Sequence, residues 1–138
     1  MSELGGREDI AFRYDLMTRT PNTLNAHRLI AAARHEVRQA PIVEALFRAY
    51  FTEGRDIGDL GVLADIASEA GMNRSLVLRF LESEEGVPEI RYNDAAAHRT
   101  GISGVPAFIF DGRPLLVGAH PPDVIASALR EGLSLTAV

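Results

Sequence analysis

The sequence predicts an α/β fold in which a long helical region precedes a β-hairpin and a final helix. Two observations predict the hairpin: residues 107–110 form an apolar run rich in strand formers, and Asp111-Gly112 follows them directly. Asp-Gly is a strong hairpin signal, and residues 114–117 supply the second strand. Repeated helix start and stop signals between residues 22 and 100 predict five helices ahead of the hairpin.

The N-terminal segment is predicted to contain a loose tail and then a strand or an extended arm. Residues 1–9 form a short segment that is polar and acidic. In residues 10–16, apolar residues alternate with Ala11, Arg13 and Asp15, which is the period of a strand with one apolar face.

Capping residues set the predicted bounds of the helices. Asn22 or Thr23 can begin the first helix, and Asp59 and Asn73 can cap the third and fourth. Gly71 is suited to end the third helix in a left-handed conformation. The predicted helices cover residues 22–37, 41–53, 59–70, 73–84 and 88–99, and a last helix starts at Pro121-Pro122 and ends at Gly132.

Composition limits the possible functions. The chain has 138 residues, of which 46% are hydrophobic and 24% charged, and this predicts one ordinary globular domain. A net charge of −5 argues against a general nucleic-acid surface. No apolar run approaches the length of a membrane span and no leader-like apolar segment is visible, so we expect a cytoplasmic protein without a membrane partner.

The chain has no cysteine, which excludes disulfides, thiol catalysis and thiolate metal sites within it. The four histidines, at positions 27, 35, 98 and 120, have no metal-ligand spacing, and no catalytic dyad or phosphate-binding glycine motif is visible. We therefore predict no catalytic residue, no metal site and no cofactor. His120 lies directly after the hairpin and is the histidine of most interest.

Several motifs resemble the DsbA-like thioredoxin family. The nearest subgroup is that of the FrnE-type oxidoreductases, which are related to the 2-hydroxychromene-2-carboxylate isomerases. The likeness runs from about Phe12 to about Arg130. It lies in Gly104-Val105-Pro106 with the strand that follows, in residues 118–122, in Asn22-Thr23 with Ala26-His27-Arg28-Leu29, and in Leu46-Phe47 with Ala49-Tyr50-Phe51.

The resemblance implies a fold and a site. It implies a partial thioredoxin-like (DsbA-like) fold with a large all-helical insertion and a C-terminal β-hairpin plus helix. We treat residues 1–138 as one incomplete DsbA-like domain, with an arm (10–16), a helical region (22–100) and a hairpin with its helix (104–131). In this family the bond before the proline is cis, so the resemblance implies that Gly104, Val105 and Pro106 contact the substrate, an extended peptide or a glutathione-like thiol.

The chain departs from the family in one respect. The family has Cys-x-x-Cys, or Ser in the isomerases, on an N-terminal strand–helix–strand unit, and no such unit precedes Phe12. The resemblance therefore implies a thiol-disulfide oxidoreductase-like protein that is redox-inactive as this chain alone. It also implies an open edge on strand 107–110, which the 10–16 arm, a second copy or a complementing chain with the Cys-x-x-Cys half would cover.

Two alternatives belong to other classes of function. The first is a non-catalytic module that binds a peptide, glutathione or a protein partner. The second is a helix-turn-helix regulator, because residues 63–80 have the spacing of that motif around Gly71. Arg74 and Arg79 would face DNA, but acidic residues follow them at 82, 84 and 85, so we do not expect nucleic acid as a partner.

Overall fold

The computed structural model describes residues 2–36, 38–99, 104–110 and 113–136. The chain forms two compact units, Met1–Arg91 and Tyr92–Val138. Seven helices and two strands lie in the described ranges: α1 Ser2–Arg7, α2 Leu24–Ala33, α3 Gln39–Phe51, α4 Leu60–Glu69, α5 Arg74–Glu82, α6 Val87–Arg99, β1 Ala107–Phe110, β2 Arg113–Val117 and α7 Pro122–Thr136. The predicted fold class, a helical region followed by a hairpin and a helix, is confirmed.

Helices α4 and α5 begin at the predicted caps. The Asp59 side chain accepts a hydrogen bond from the Val62 N–H at 2.9 Å, and the Asn73 side chain accepts one from the Leu76 N–H at 3.1 Å. Each bond satisfies a backbone donor that the first turn of a helix leaves without a partner. Gly71 ends the turn after α4 at φ +88°, as predicted.

The core of the first unit lies between α2, α3, α4 and α5. Small residues on these helices let the helix axes approach closely, while larger aliphatic residues fill the space between them. Its fully buried members are Leu29, Ala33, Ile42, Leu63, Ala64, Ile66 and Ala67.

A single charged side chain lies inside this core. Arg28 of α2 is 2% exposed, and all five of its N–H donors are used. Its Nε donates to the Glu85 carbonyl at 2.8 Å, and one Nη1 hydrogen bond goes to the Asn25 side chain at 2.8 Å. The others go to the carbonyls of Leu81, Phe80 and Ser83, at 2.7–2.9 Å.

The acceptors of Arg28 explain its position. The C-terminal end of a helix leaves carbonyl groups without an intrahelical partner, and Phe80 and Leu81 lie in the last turn of α5. The guanidinium also lies over the Phe80 ring, 4.9 Å from its centroid. Arg28 therefore joins α2 to the end of α5 and to the turn that leads into α6.

The 10–16 segment forms an arm rather than a strand, so the strand interpretation was wrong. Its backbone bonds to the end of a helix, since the Arg13 N–H donates to the Phe51 carbonyl at 2.8 Å. A 3₁₀ turn then follows at Tyr14–Leu16. Of the alternating apolar residues, Phe12 packs on α3, where it contacts Phe51 edge to face at 5.7 Å between ring centroids. A period of two reports one apolar side, whereas a strand also needs a neighbouring ladder.

Further differences from the prediction lie at the two ends of the chain. The N-terminal tail contains the short helix α1, in which Gly5 lies so close to Phe12 that a Cβ atom would come within 2.4 Å of the ring. Helix α7 continues past Gly132 to Thr136. Gly132 is buried inside the helix, where a glycine costs only about 1 kcal/mol, and the apolar sequence pattern continues beyond it.

The second unit consists of most of α6, the hairpin and α7. Strands β1 and β2 are antiparallel, with Ala107 opposite Val117 and Phe108 opposite Leu116. The register shifts between Phe108 and Ile109, which leaves one extra residue on β2. The predicted Asp111-Gly112 turn lies outside the described residues.

We expect replacement of Arg28 by Leu to destabilise the protein strongly. The variant would leave the carbonyls of Leu81, Ser83 and Glu85 without this donor, and the free energy of unfolding should fall by about 3 kcal/mol or more. Urea unfolding followed by circular dichroism measures this change. Arg79→Leu, an exposed position on α5, is the matched control and should change stability by at most about 0.5 kcal/mol. Equal effects of the two substitutions would contradict this role of Arg28.

Acid should weaken the link between Arg19, which follows the arm, and Asp56 in the loop before α4. The Arg19 side chain donates to the Asp56 carboxylate, and this bond, with a second from the Gly58 N–H, holds the pKa of Asp56 below its usual value of 3.8. The folded-state pKa is the lower one, so the stabilisation is complete above 3.8 and is lost as the pH falls through the folded-state pKa.

The stability difference between the native chain and Asp56→Asn should therefore shrink as the pH falls below 3.8. Denaturant unfolding at a series of pH values measures this difference. An Arg19→Gln background serves as the control, because the same substitution should then show a weaker dependence on pH. A difference that stays constant across this range would exclude the ion pair as its source.

Candidate functional site

The predicted substrate-contacting residues lie at the start of the hairpin. Val105 is 87% exposed, Pro106 is exposed and Gly104 is partly buried. The Val105–Pro106 peptide bond is cis. The carbonyl of Pro106 accepts a hydrogen bond from the Gly118 N–H at 2.7 Å, so the ladder between the strands begins at Pro106. Among the described residues, no hydrogen bond involves the backbone of Val105.

The hydrogen-bond pattern determines which backbone groups face the open edge of β1. Paired residues in an antiparallel ladder alternate between those bonded to the partner strand and those whose N–H and C=O point away from it. Pro106 and Gly118 are a bonded pair, so the N–H and C=O groups of Ala107 point away from β2. In the described residues the sheet has two strands, and this edge of β1 has no neighbour among them.

Apolar side chains lie beside this edge. Ala107 and Ile109 project from the same face of β1, and Val117 lies opposite Ala107 on that face. Ile109 is 51% exposed and Val117 is 44% exposed. The start of the hairpin thus offers exposed aliphatic surface together with backbone donors and acceptors, a combination that suits an added extended chain.

His120 stabilises the other edge of the hairpin. Its Nε2 lies 3.2 Å from the Val117 carbonyl. A carbonyl can only accept a hydrogen bond, so this geometry requires a proton on Nε2. His120 therefore bonds to the backbone of β2, and no other hydrogen bond or ion pair of its side chain occurs among the described residues.

The site has no reactive side chain of its own. The 138 residues include no cysteine, and the described residues include no cluster of three or more potential metal ligands. Shifted pKa values occur at Arg13, Asp15 and Asp56, all in the first unit and outside the hairpin. The exposed backbone groups at the start of the hairpin are suited to binding an extended peptide backbone.

Helices α4 and α5, the candidate helix-turn-helix, have no feature that distinguishes them from an ordinary pair of packed helices. Helices α4 and α5 meet at the tight turn of Gly71, as the spacing predicts. Arg74 donates to Asp65 at 2.6 Å, so one of the two basic side chains of α5 is already in an ion pair. No observation favours a DNA-binding function over the others.

A comparison with family models identifies the class of protein. The DSBA-like thioredoxin domain model matches residues 1–130. The chain therefore belongs to the DSBA-like thioredoxin domain family, and the DsbA-like part of the sequence prediction is confirmed. Comparison with curated proteins gives no match.

Solved structures give the same fold. The chain is similar to a probable DsbA oxidoreductase from Streptomyces coelicolor, with 26% identity and a TM-score of 0.83, over 99% of this chain and 59% of that protein. It also resembles a candidate protein disulfide isomerase from Nitrosomonas europaea, with 18% identity and a TM-score of 0.75, over 98% of this chain and 71% of that protein. The chain thus spans about three fifths of the Streptomyces relative.

None of the helices in the described ranges combines the length and hydropathy that crossing a membrane requires.

Replacement of Gly118 by Ala should weaken the hairpin. Gly118 has φ +94°, where a Cβ atom costs about 1–2 kcal/mol even though open space surrounds it. The Gly118 amide, which donates to Pro106, should then exchange its hydrogen roughly 5- to 30-fold faster. Gly104→Ala is the matched control, because its Cβ would make an ordinary contact at 3.5 Å with Val117. Faster exchange in both variants would show that the loss of a glycine alone is responsible.

Proposed function

We propose that this chain provides the substrate-binding part of a DsbA-type thiol-disulfide oxidoreductase, and that its substrate is an extended peptide or a glutathione-like thiol. The exposed Val105 beside the outward-facing backbone of Ala107 supports this proposal most directly. A peptide bound here would form backbone hydrogen bonds with Val105, whose backbone groups have no hydrogen bond among the described residues, and aliphatic contacts with Ile109 and Val117 would add apolar surface.

The dithiol of such an enzyme has to come from residues other than these 138. A thiolate is the attacking group in thiol-disulfide exchange, and the sequence provides none. The Streptomyces relative is longer than the part that this chain matches, so a related molecule has room for a further unit. We propose that a Cys-x-x-Cys unit pairs with the open edge of β1, and that the chain by itself has no redox turnover.

The subgroup is part of the same proposal. The Asn22-Thr23 and Ala26-His27-Arg28-Leu29 motifs support the FrnE-type oxidoreductases, which are related to the 2-hydroxychromene-2-carboxylate isomerases. The structure gives Arg28 of this motif a structural role, since its donors go to the end of α5, to the turn after it and to the side chain of Asn25. Arg28 therefore supports the subgroup as a residue that stabilises the fold, and not as a residue that takes part in a reaction.

The arm has contacts of its own within the first unit. Its Arg13 N–H bonds to the Phe51 carbonyl, and its Phe12 ring contacts the Phe51 ring. For the open edge of β1 we propose a complementing chain or a second copy.

A reduction assay with insulin and dithiothreitol tests the function. The chain alone should not accelerate insulin precipitation over buffer. A fusion in which a Cys-x-x-Cys strand–helix–strand unit from a DsbA-family oxidoreductase precedes this chain should accelerate it. Both Cys→Ser substitutions in the added unit should remove that acceleration. Acceleration by the chain alone, or none by a folded fusion, would contradict the proposal.

A substitution in the fusion tests the site itself. Val105→Asp places a charge beside the open edge of β1 and should lower the rate for insulin, because an extended apolar segment no longer fits there. Leu76→Asp, at a residue of α5 that is 56% exposed, is the matched control and should leave the rate unchanged. Equal rates for the Val105→Asp fusion and the parent fusion would remove Val105 from the site.

A further inference from the structure

Helix α3 presents an aromatic residue to solvent in the middle of its outer face. Phe47 is 61% exposed, whereas Ile42, Leu46 and Ala49 on the opposite face are buried in the core. Glu44 and Phe51 lie on the same outer face as Phe47, at i−3 and i+4, and Arg48 flanks it. We call Glu44, Phe47, Arg48 and Phe51 the α3 stripe.

The ring of Phe47 is held in place by a row of neighbouring aromatic rings. It stacks on Phe51 with 6.0 Å between centroids, and Phe51 contacts Phe12 of the arm at 5.7 Å. Phe12 in turn stacks on Tyr14 at 5.3 Å. An aromatic side chain that is already ordered loses little conformational freedom when a partner covers it, which is typical of the anchor residues of interfaces.

The charges of the α3 stripe are complementary to those of a second, antiparallel copy of the stripe. Glu44 lies one helical turn before Arg48, and both are exposed. Arg48 donates to Glu53 at 3.2 Å, at the end of the helix, rather than to Glu44. No ion pair of Glu44 occurs among the described residues. The α3 stripe therefore carries an anion without an ion pair, Glu44, before Phe47 in the sequence, and a cation, Arg48, directly after it.

We propose that the α3 stripe binds the same stripe of a second copy of this chain, with the two helices antiparallel. A two-fold axis beside Leu46 places residue 44 of each copy opposite residue 48 of the other. Glu44 then faces Arg48 of the second copy twice, and the two Phe47 rings meet close to the axis. A parallel arrangement would place like charges together, so the charge pattern selects the antiparallel one. This inference is independent of the proposed function.

Sedimentation velocity over a range of concentrations measures the association. The native chain should form a dimer in a concentration-dependent manner, and Phe47→Ala should raise its dissociation constant about ten-fold or more. Leu76→Ala is the matched control, because Leu76 is similarly exposed but lies on α5, and it should leave the dissociation constant unchanged. Circular dichroism melting curves verify that each variant is folded.

Charge reversal then tests the arrangement. Glu44→Arg and Arg48→Glu should each weaken the dimer, because each places like charges opposite one another twice. The double variant should recover the native dissociation constant, since the reversed pairs are again complementary. Loss of folding cannot produce such a recovery.

Three results would overturn the proposal. The first is a chain that stays monomeric at every concentration. The second is a dimer that Phe47→Ala leaves intact. The third is a double variant no better than its single parents. If Ile109→Lys abolishes the dimer and Phe47→Ala does not, the interface lies at the open edge of β1 and not on the α3 stripe.

Discussion

The buried guanidinium of Arg28 is the interaction on which the helical unit depends. Removing a charge from water is costly, and the cost is offset here because all five N–H donors have acceptors. Four of those acceptors are carbonyls at the end of α5 and in the turn that follows it, and of these only the Phe80 carbonyl has further donors among the described residues, the N–H and hydroxyl of Ser83. One side chain of α2 thereby sets where α5 ends and where α6 begins.

The proposed site offers backbone groups rather than reactive side chains. The cis-linked Val105 and Pro106 lie where the ladder between β1 and β2 begins, and the outward groups of Ala107 follow them on the open edge. Main-chain groups are common to all peptides, so binding through them would depend little on the sequence of the ligand. In the proposed function a separate dithiol supplies the chemistry, which agrees with membership of the DSBA-like thioredoxin domain family.

Sequence patterns were reliable where a local rule determines the structure. Asp59 and Asn73 cap their helices, and Gly71 ends a turn with positive φ, because each depends only on neighbouring backbone groups. The same patterns were misleading where the partner lies far along the chain. Residues 10–16 alternate like a strand, but their backbone bonds to the end of α3, Phe12 packs on Phe51, and no ladder forms there among the described residues.

The amino-acid sequence alone determined the order of helices and strands from residue 22 onwards, the lack of a thiol, and the residues at which the hairpin begins. These follow from local propensities, from composition and from motif spacing, none of which requires knowledge of distant contacts. Only the tertiary structure decided that Arg28 is buried, that the arm lies on α3 and that Phe47 stays exposed. Burial and pairing depend on residues more than fifty positions apart in the case of Arg28, and no local pattern encodes which of them meet.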